Sequence, residues 1–214
     1  MVNAPESPDP AAGHAPATFV SAILTAAGES ARMGSPKPLL SWHDTTLLEF
    51  QVACLLEGGA SEVVVVLGHR ADDVVSYVKG DRVRHVVNRR YREGRSTSVR
   101  SGVEAISPSC QAIMLLAVDQ PRTPQIVSRI VQAHVDGDAL ITAPRHLGRG
   151  GHPLVFSASL KHELLRISEQ HQGLREVFQR HRDEVLEVPF DDPVVRLDFN
   201  TPAEYEEARG RYGA

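Results

Sequence analysis

Cysteine is nearly missing from this sequence: two residues, Cys54 and Cys110, in 214. They stand far apart in apolar surroundings, so a disulfide framework and a zinc knuckle are both excluded. Both read as buried core thiols of a protein kept in a reducing cytoplasm. No apolar run approaches bilayer length, so nothing reads as a membrane-spanning helix. Charge of one sign is not in excess. The formal net charge is −4, and no overall field draws the chain to nucleic acid or to an anionic membrane. Any anionic ligand must then be met by a local basic patch. Several catalytic signatures are also missing. There is no His-Glu-x-x-His, no Gly-x-Ser-x-Gly, no Gly-x-Gly-x-x-Gly and no Walker Gly-Lys-Ser/Thr. Those absences remove zinc proteases, serine-hydrolase elbows, dinucleotide folds and P-loops.

What is present is a regular alternation. Residues 1–17 are rich in Ala, Pro and small polar residues and lack the charged start and apolar centre of a signal peptide. They are expected to be a disordered tail before one domain, residues 18–214. Residues 19–25, 63–67 and 112–118 are apolar runs without polar alternation, the pattern of strands covered on both faces. Further strands are expected at 83–87, 139–143, 184–189 and 194–197. Helices are expected at 46–58, 71–78, 96–106, 157–167 and 174–181, with one opened by Thr123-Pro124 and a last one by Thr201-Pro-Ala-Glu204. The expectation is a single α/β domain, a doubly wound and mostly parallel Rossmann-like sheet. In such sheets ligands bind beyond the carboxyl ends of the strands, so chemistry is sought just after each strand.

Four segments qualify. After the first strand come two glycines, Gly28 and Gly34, and two cations, Arg32 and Lys37. Glycine lets backbone N–H groups approach phosphate oxygens, and the cations can neutralise a triphosphate. A glycine turn with exposed basic residues is the plain alternative. Asp119 follows the strand at 112–118, where a carboxylate can hold a hard cation such as Mg²⁺; a turn Asp before Pro121 is the alternative. Residues 88–100 carry five arginines against one acid, with Ser96 or Thr97 placed to cap the following helix. With one aromatic, Tyr91, that segment is a poor nucleic-acid surface. Residues 145–153 form a Gly-rich loop with Arg145, His146, Arg149 and His152, suited to an acceptor's phosphate. Asp198 and Asn200 are candidates for a second cation ligand and point to opposite sides if their segment is a strand. Trp42 is placed in a turn after Leu39-Leu40.

Together these pieces carry a resemblance. Ala26-Ala27-Gly28 through Arg32-Met33-Gly34 and Lys37-Pro38-Leu39-Leu40 resembles the signature loop of nucleotidyltransferases related to molybdenum cofactor cytidylyltransferase and guanylyltransferase. Asn88 through Gly94 with Ser98, Arg100 and Gly102, then Asp119-Gln-Pro121, Gly151-His152-Pro153 and Asp198-Phe-Asn200-Thr-Pro202 follow in the family's order. The resemblance implies a nucleotide held by Ala26, Ala27, Gly28, Arg32, Lys37, Gly94 and Ser98. It implies catalysis by Arg32 and Lys37, and an acceptor near Arg149, Gly151 and His152. It also implies Mg²⁺ on Asp119 with Asn200 or Asp198, where family position favours Asn200 and charge favours Asp198. Ala-Ala-Gly accompanies cytidylyl transfer in that family, so CTP and molybdopterin are the expected substrates. The open alternatives are another phosphorylated alcohol or sugar phosphate, GTP as donor, and a non-catalytic cofactor chaperone for a molybdoenzyme.

Overall fold

The computed structural model describes residues 18–213. The tail expected at 1–17 lies outside the described residues. The first strand, β1 (Val20–Ala26), follows from a run with almost no exposed side chain. The hairpin β2 (Ser41–Trp42) and β3 (Thr45–Thr46) leads into helix α1 (Leu47–Glu57). Thr46 caps that helix, its hydroxyl accepting the Glu49 N–H while the Glu49 carboxylate accepts the Thr46 N–H, a reciprocal box that fixes where the helix starts. There follow β4 (Glu62–Leu67), a short α2 (Ala71–Val74), β5 (Val83–Val87), α3 (Arg95–Ala105), β6 (Ala112–Ala117) and α4 (Pro124–Asp136). The chain continues with β7 (Ile141–His146), β8 (Arg149–Gly150), β9 (Leu154–Ser157), α5 (Lys161–Leu164), α6 (Leu174–Arg180), β10 (Val185–Pro189) and α7 (Pro202–Tyr212).

The main sheet runs β10-β7-β9-β6-β1-β4-β5, with β8 paired to β7. All pairs are parallel except those of β9 and β8. Alternate side chains of β1 feed two separate cores. Ala22 and Leu24 pack with Leu48 and Leu55 of α1 and Ile130 of α4. Ile23 packs with Val99 and Val103 of α3 and Leu164 of α5. This is the two-sided burial that the unbroken apolar runs require. The doubly wound, mostly parallel expectation is met. Among the described residues no helix is long and apolar enough to cross a membrane.

Several local expectations are corrected. Residues 194–197 are no strand: Pro193–Arg196 is a 3₁₀ turn, with the Asp192 carboxylate accepting the Val194 N–H. Proline at the turn's first position presets that backbone. The helix expected at 157–167 is a 3₁₀ turn, Ala158–Leu160, followed by the four-residue α5. The helix at 71–78 is likewise α2 and a 3₁₀ turn, Val75–Tyr77. The loop at 145–153 is partly a hairpin of β7 and β8, turned through Leu147 and Gly148, both at positive φ. Cys54 is buried, and burial first and the Glu57 charge second push its thiol up to about 12. Cys110 is only half-buried, its Sγ donating to the Ala112 carbonyl.

Candidate active site

The carboxyl ends of β1 and β6 open into one cavity of about 500 Å³. Its rim on one side is the segment that leaves β1. That segment turns back through Ser30 and Gly34, both at positive φ, and ends in a 3₁₀ turn, Lys37–Leu39. The Ser30 hydroxyl accepts the Lys37 N–H at 3.1 Å, so the loop fixes the backbone of Lys37. A Cβ on Gly28 would meet nothing within 4 Å, leaving its backbone open to a ligand. Gly68, after β4, is the opposite case. A Cβ there would stand 2.6 Å from the Ala27 carbonyl, and this close approach lets His69 N–H donate to that carbonyl.

Lys37 reaches across the cavity. Its ammonium donates to Asp119 Oδ2 at 2.5 Å, to the Phe199 carbonyl at 2.8 Å and to Asn200 Oδ1 at 3.1 Å. These three bonds exhaust its donors. The expected opposition of Asp198 and Asn200 is not found, because their segment is not a strand. Instead Asn200 Nδ2 donates to Asp198 Oδ1 at 2.9 Å, which turns the amide oxygen toward the cation. Asn200 therefore faces the cavity, while Asp198 is exposed and acts on it from behind. Thr201 still caps α7 in a box with Glu204, so capping and facing are shared between neighbours. Trp42, expected in a turn, lies in β2 and is buried. It stacks on Phe199 with ring centroids 6.0 Å apart, bracing the residue whose carbonyl holds Lys37.

The other expected residues divide. Ala26, Ala27, Gly28, Arg32, Gly94, Ser98 and His152 line the same cavity as Lys37 and Asp119. Arg32 is exposed at its rim. Arg149 and Gly151 do not line it. Arg149 stands exposed on β8, and Gly151 lies under the backbone of Val195, where a Cβ would be 2.4 Å from the carbonyl oxygen. Neither Ser96 nor Thr97 caps α3. Gly94 is its N-cap, and the Ser96 N–H is taken by the carboxylate of Glu169 at 2.7 Å. Thr97 and Ser98 hydroxyls accept instead from Asn88 Nδ2, at 2.8 and 3.0 Å. His152 is pushed down to about 4, by burial first and then by the charges of Arg122 and Arg95, with Asp198 opposing. Its ring is neutral at ordinary pH.

Three contributors escape sequence reasoning. Gln51 sits among Leu47, Leu48, Val52 and Leu55 on the buried face of α1. Its amide donates to the Gln120 carbonyl at 2.8 Å and accepts the Arg122 N–H at 3.1 Å, gripping the loop that carries Asp119. A polar residue on an apolar stripe was its signal. Arg122 is fully buried beside that loop, and Leu174 of α6 lines the cavity. Neither carries a signal in the pattern. Among the described residues no group of three or more His, Cys, Asp or Glu could hold a metal ion. The oxygen set around Lys37 contains one carboxylate, one amide oxygen and one backbone carbonyl.

Residues 22–185 match the MobA-like NTP transferase domain family. The chain is 33% identical over 171 residues to the nicotine blue oxidoreductase of Paenarthrobacter nicotinovorans, covering 76% of this chain and 82% of the relative. It is 28% identical over 198 residues to the molybdenum cofactor cytidylyltransferase of Escherichia coli K12, covering 90% and 97%. The crystal structure of Rv0371c in complex with manganese, from Mycobacterium tuberculosis H37Rv, superposes with a TM-score of 0.73 at 27% identity. That match covers 89% of this chain and 97% of the other. The matched span runs from β1 into β10 and includes Lys37, Asp119 and His152, so this chain belongs to the MobA-like NTP transferase domain family and is a nucleotidyltransferase.

Proposed function

We propose that this protein transfers CMP from CTP to the terminal phosphate of molybdopterin and releases pyrophosphate. The observation that carries the reading is the bonding of Lys37 to Asp119 and Asn200 inside a cavity rimmed by an open glycine loop. Ala27 and its methyl support CTP over a larger purine nucleotide, and the full-length likeness to a cytidylyltransferase supports the same choice.

The residues fit a divalent cation. Asp119 Oδ2, Asn200 Oδ1 and the Phe199 carbonyl are hard oxygens already gathered around one positive charge, the donor set that Mg²⁺ takes. When bound there, Mg²⁺ would neutralise phosphate charge. The chain's own residues do the rest. Backbone N–H groups of Ala26, Ala27 and Gly28 receive the triphosphate. Where a cation takes those three oxygens, the Lys37 ammonium would be released from them, and with Arg32 it stabilises charge on the α-phosphate and on the departing pyrophosphate. His152, being neutral, orients the acceptor by hydrogen bonding. Arg149, on the hairpin beyond the cavity, reaches only the outer part of a long acceptor, and Gly151, buried under Val195, packs the loop that carries His152 without touching the acceptor. A phosphate oxygen of the acceptor bonds to the α-phosphorus as the bond to the β-phosphate oxygen breaks. No general base is needed, because the attacking oxygen is already anionic. A reducing cytoplasm is the compartment we assign, with a molybdoenzyme as eventual recipient of the product.

The test is pyrophosphate release from CTP with Mg²⁺ and molybdopterin. Faster release from GTP overturns the nucleotide choice. Release only with another phosphorylated alcohol overturns the acceptor. Binding without Mg²⁺-dependent release fits a cofactor chaperone instead, and oxidation of reduced nicotinamide without release fits an oxidoreductase.

A further inference from the structure

Arg122 directly follows the Asp119-Gln120-Pro121 run and is 1% exposed. Its guanidinium makes four hydrogen bonds, each to a backbone carbonyl. Nε donates to His152 at 2.8 Å, Nη1 to Pro121 at 2.8 Å and Leu197 at 3.0 Å, and Nη2 to Val195 at 2.7 Å. None of these acceptors is a carboxylate. Burial pushes the guanidinium down to about 9, opposed by the carboxylates of Asp198 and Asp119, which act on its charge without bonding to it. Burying a cation this way is a poor route to stability, since an apolar side chain of similar volume fills such a space at lower cost. What the guanidinium does, and an apolar group does not, is hold three chain segments in fixed relation.

Those three segments carry polar groups of the cavity. Pro121 is two residues from Asp119. His152 lines the cavity itself. Val195 and Leu197 lead into Phe199 and Asn200, which accept from Lys37. The planar fork matches carbonyls arriving from different directions, which a lysine's single ammonium does not do. Arg122 is fixed in turn, its own N–H held by Gln51. Its charge also acts on His152, whose other charged influences are Asp198 and Arg95.

We propose that Arg122 is a positioning residue that aligns His152, on the acceptor side, with the Lys37–Asp119–Asn200 cluster. The proposal rests on the transfer reaction above, and the experiment separates the two. Full-length protein is made with Arg122→Lys and Arg122→Met. CTP affinity, kcat and the acceptor KM are measured with molybdopterin. The pH titration of His152 is followed by ¹⁵N-histidine NMR and assigned by its loss in His152→Gln. CTP binding should stay within about twofold while kcat/KM for the acceptor falls about 10–100-fold in both variants. Loss of the charge in Arg122→Met should move the His152 midpoint upward, and Arg122→Lys, which keeps the charge, should leave it near the wild-type value. Full activity in Arg122→Lys overturns the proposal, as does equal loss of CTP and acceptor binding or an unmoved His152 midpoint in Arg122→Met. If Arg122→Met does not fold, Arg122→Lys decides by its rates and its His152 midpoint. Failure of both to fold makes Arg122 a structural residue and overturns the proposal. If wild-type protein releases no pyrophosphate, the reaction above falls, and the NMR midpoints still decide the link from Arg122 to His152.

Discussion

The ammonium of Lys37 lies 2.5 Å from the carboxylate of Asp119, and both side chains are largely buried. The pair joins the loop after β1 to the loop after β6. An ammonium in that place answers the charge of Asp119 as a bound cation would. On the proposed transfer reaction, replacing Lys37 with Ala removes a group acting on the developing phosphate charge, and turnover should fall about 10²–10³-fold. Stability should fall by no more than about 2 kcal/mol, because Asp119 lines the cavity and can take water in place of the ammonium. Pyrophosphate release and a denaturant melt measure the two effects. Near-normal turnover would remove Lys37 from the chemistry. Manganese titration of the nucleotide-free variant Lys37→Met gives a second reading. With the ammonium gone, Mn²⁺ should bind at least about tenfold tighter than in wild type.

Asn200 offers its oxygen to Lys37 because Asp198 takes its amide nitrogen. Asn200→Asp keeps an oxygen in place and should retain most of the activity, whereas Asn200→Leu should lose about 10-fold or more. Asp198→Ala frees the amide to turn over, so its loss should be smaller than that of Asn200→Leu and should show mainly as a raised metal requirement. Titrating each variant with Mg²⁺ checks the order. A larger loss in Asp198→Ala than in Asn200→Leu would exchange the two roles.

The parts of this fold that were legible were those where one local rule decides. Val63–Val66 are buried on both faces of a strand, and an apolar run leaves them no other place. Thr46 and Glu49 set a helix start by bonds that reach only three residues. The site was legible in pieces for the same reason: Lys37, Asp119 and His152 each follow a recognisable local run. Their meeting was not legible, since Lys37 and Asp119 are 82 residues apart. Residues 194–197 misled because Val194 and Val195 have strand-like character, while Pro193 and the Asp192 carboxylate impose a turn. The start of α3 misled because Gly94 is its N-cap and the Ser96 N–H is taken by Glu169, an acid 73 residues away. Arg122 had no local sign, because what it binds is backbone from distant segments.

Gln51 is 0% exposed and satisfied on both ends of its amide. Gln51→Leu keeps the volume but leaves the Arg122 N–H and the Gln120 carbonyl without this partner. The expected cost is about 2–3 kcal/mol for stranding such buried groups. Activity at low temperature should fall too, since the Asp119 loop loses its anchor to α1. Urea denaturation measures the first effect and initial rates the second. An unchanged midpoint would mean that water enters to replace the amide.

His152 gives the fold a pH dependence of definite sign. Its pKa is pushed down to about 4 in the folded protein, by burial first and by Arg122 and Arg95 next, against the pull of Asp198. In the unfolded chain it titrates at about 6.5. Between those values the unfolded chain holds a proton that the folded protein does not, so stability falls as pH drops from about 6.5 to about 4. At higher pH both states are neutral and the effect vanishes. The full loss from this ring is at most about 3 kcal/mol. His134, buried and shifted the same way, adds to it, whereas His181, raised by Glu163 and Glu184 against its own burial, opposes it. His152→Asn should therefore flatten the acid side of the stability curve. It should gain on wild type steadily as pH falls through that window, and urea midpoints at pH 7 and pH 5 suffice to see it. Parallel curves for the two proteins would mean that His152 carries its proton within the folded cavity, and the neutral hydrogen-bonding role assigned to it would fail with them.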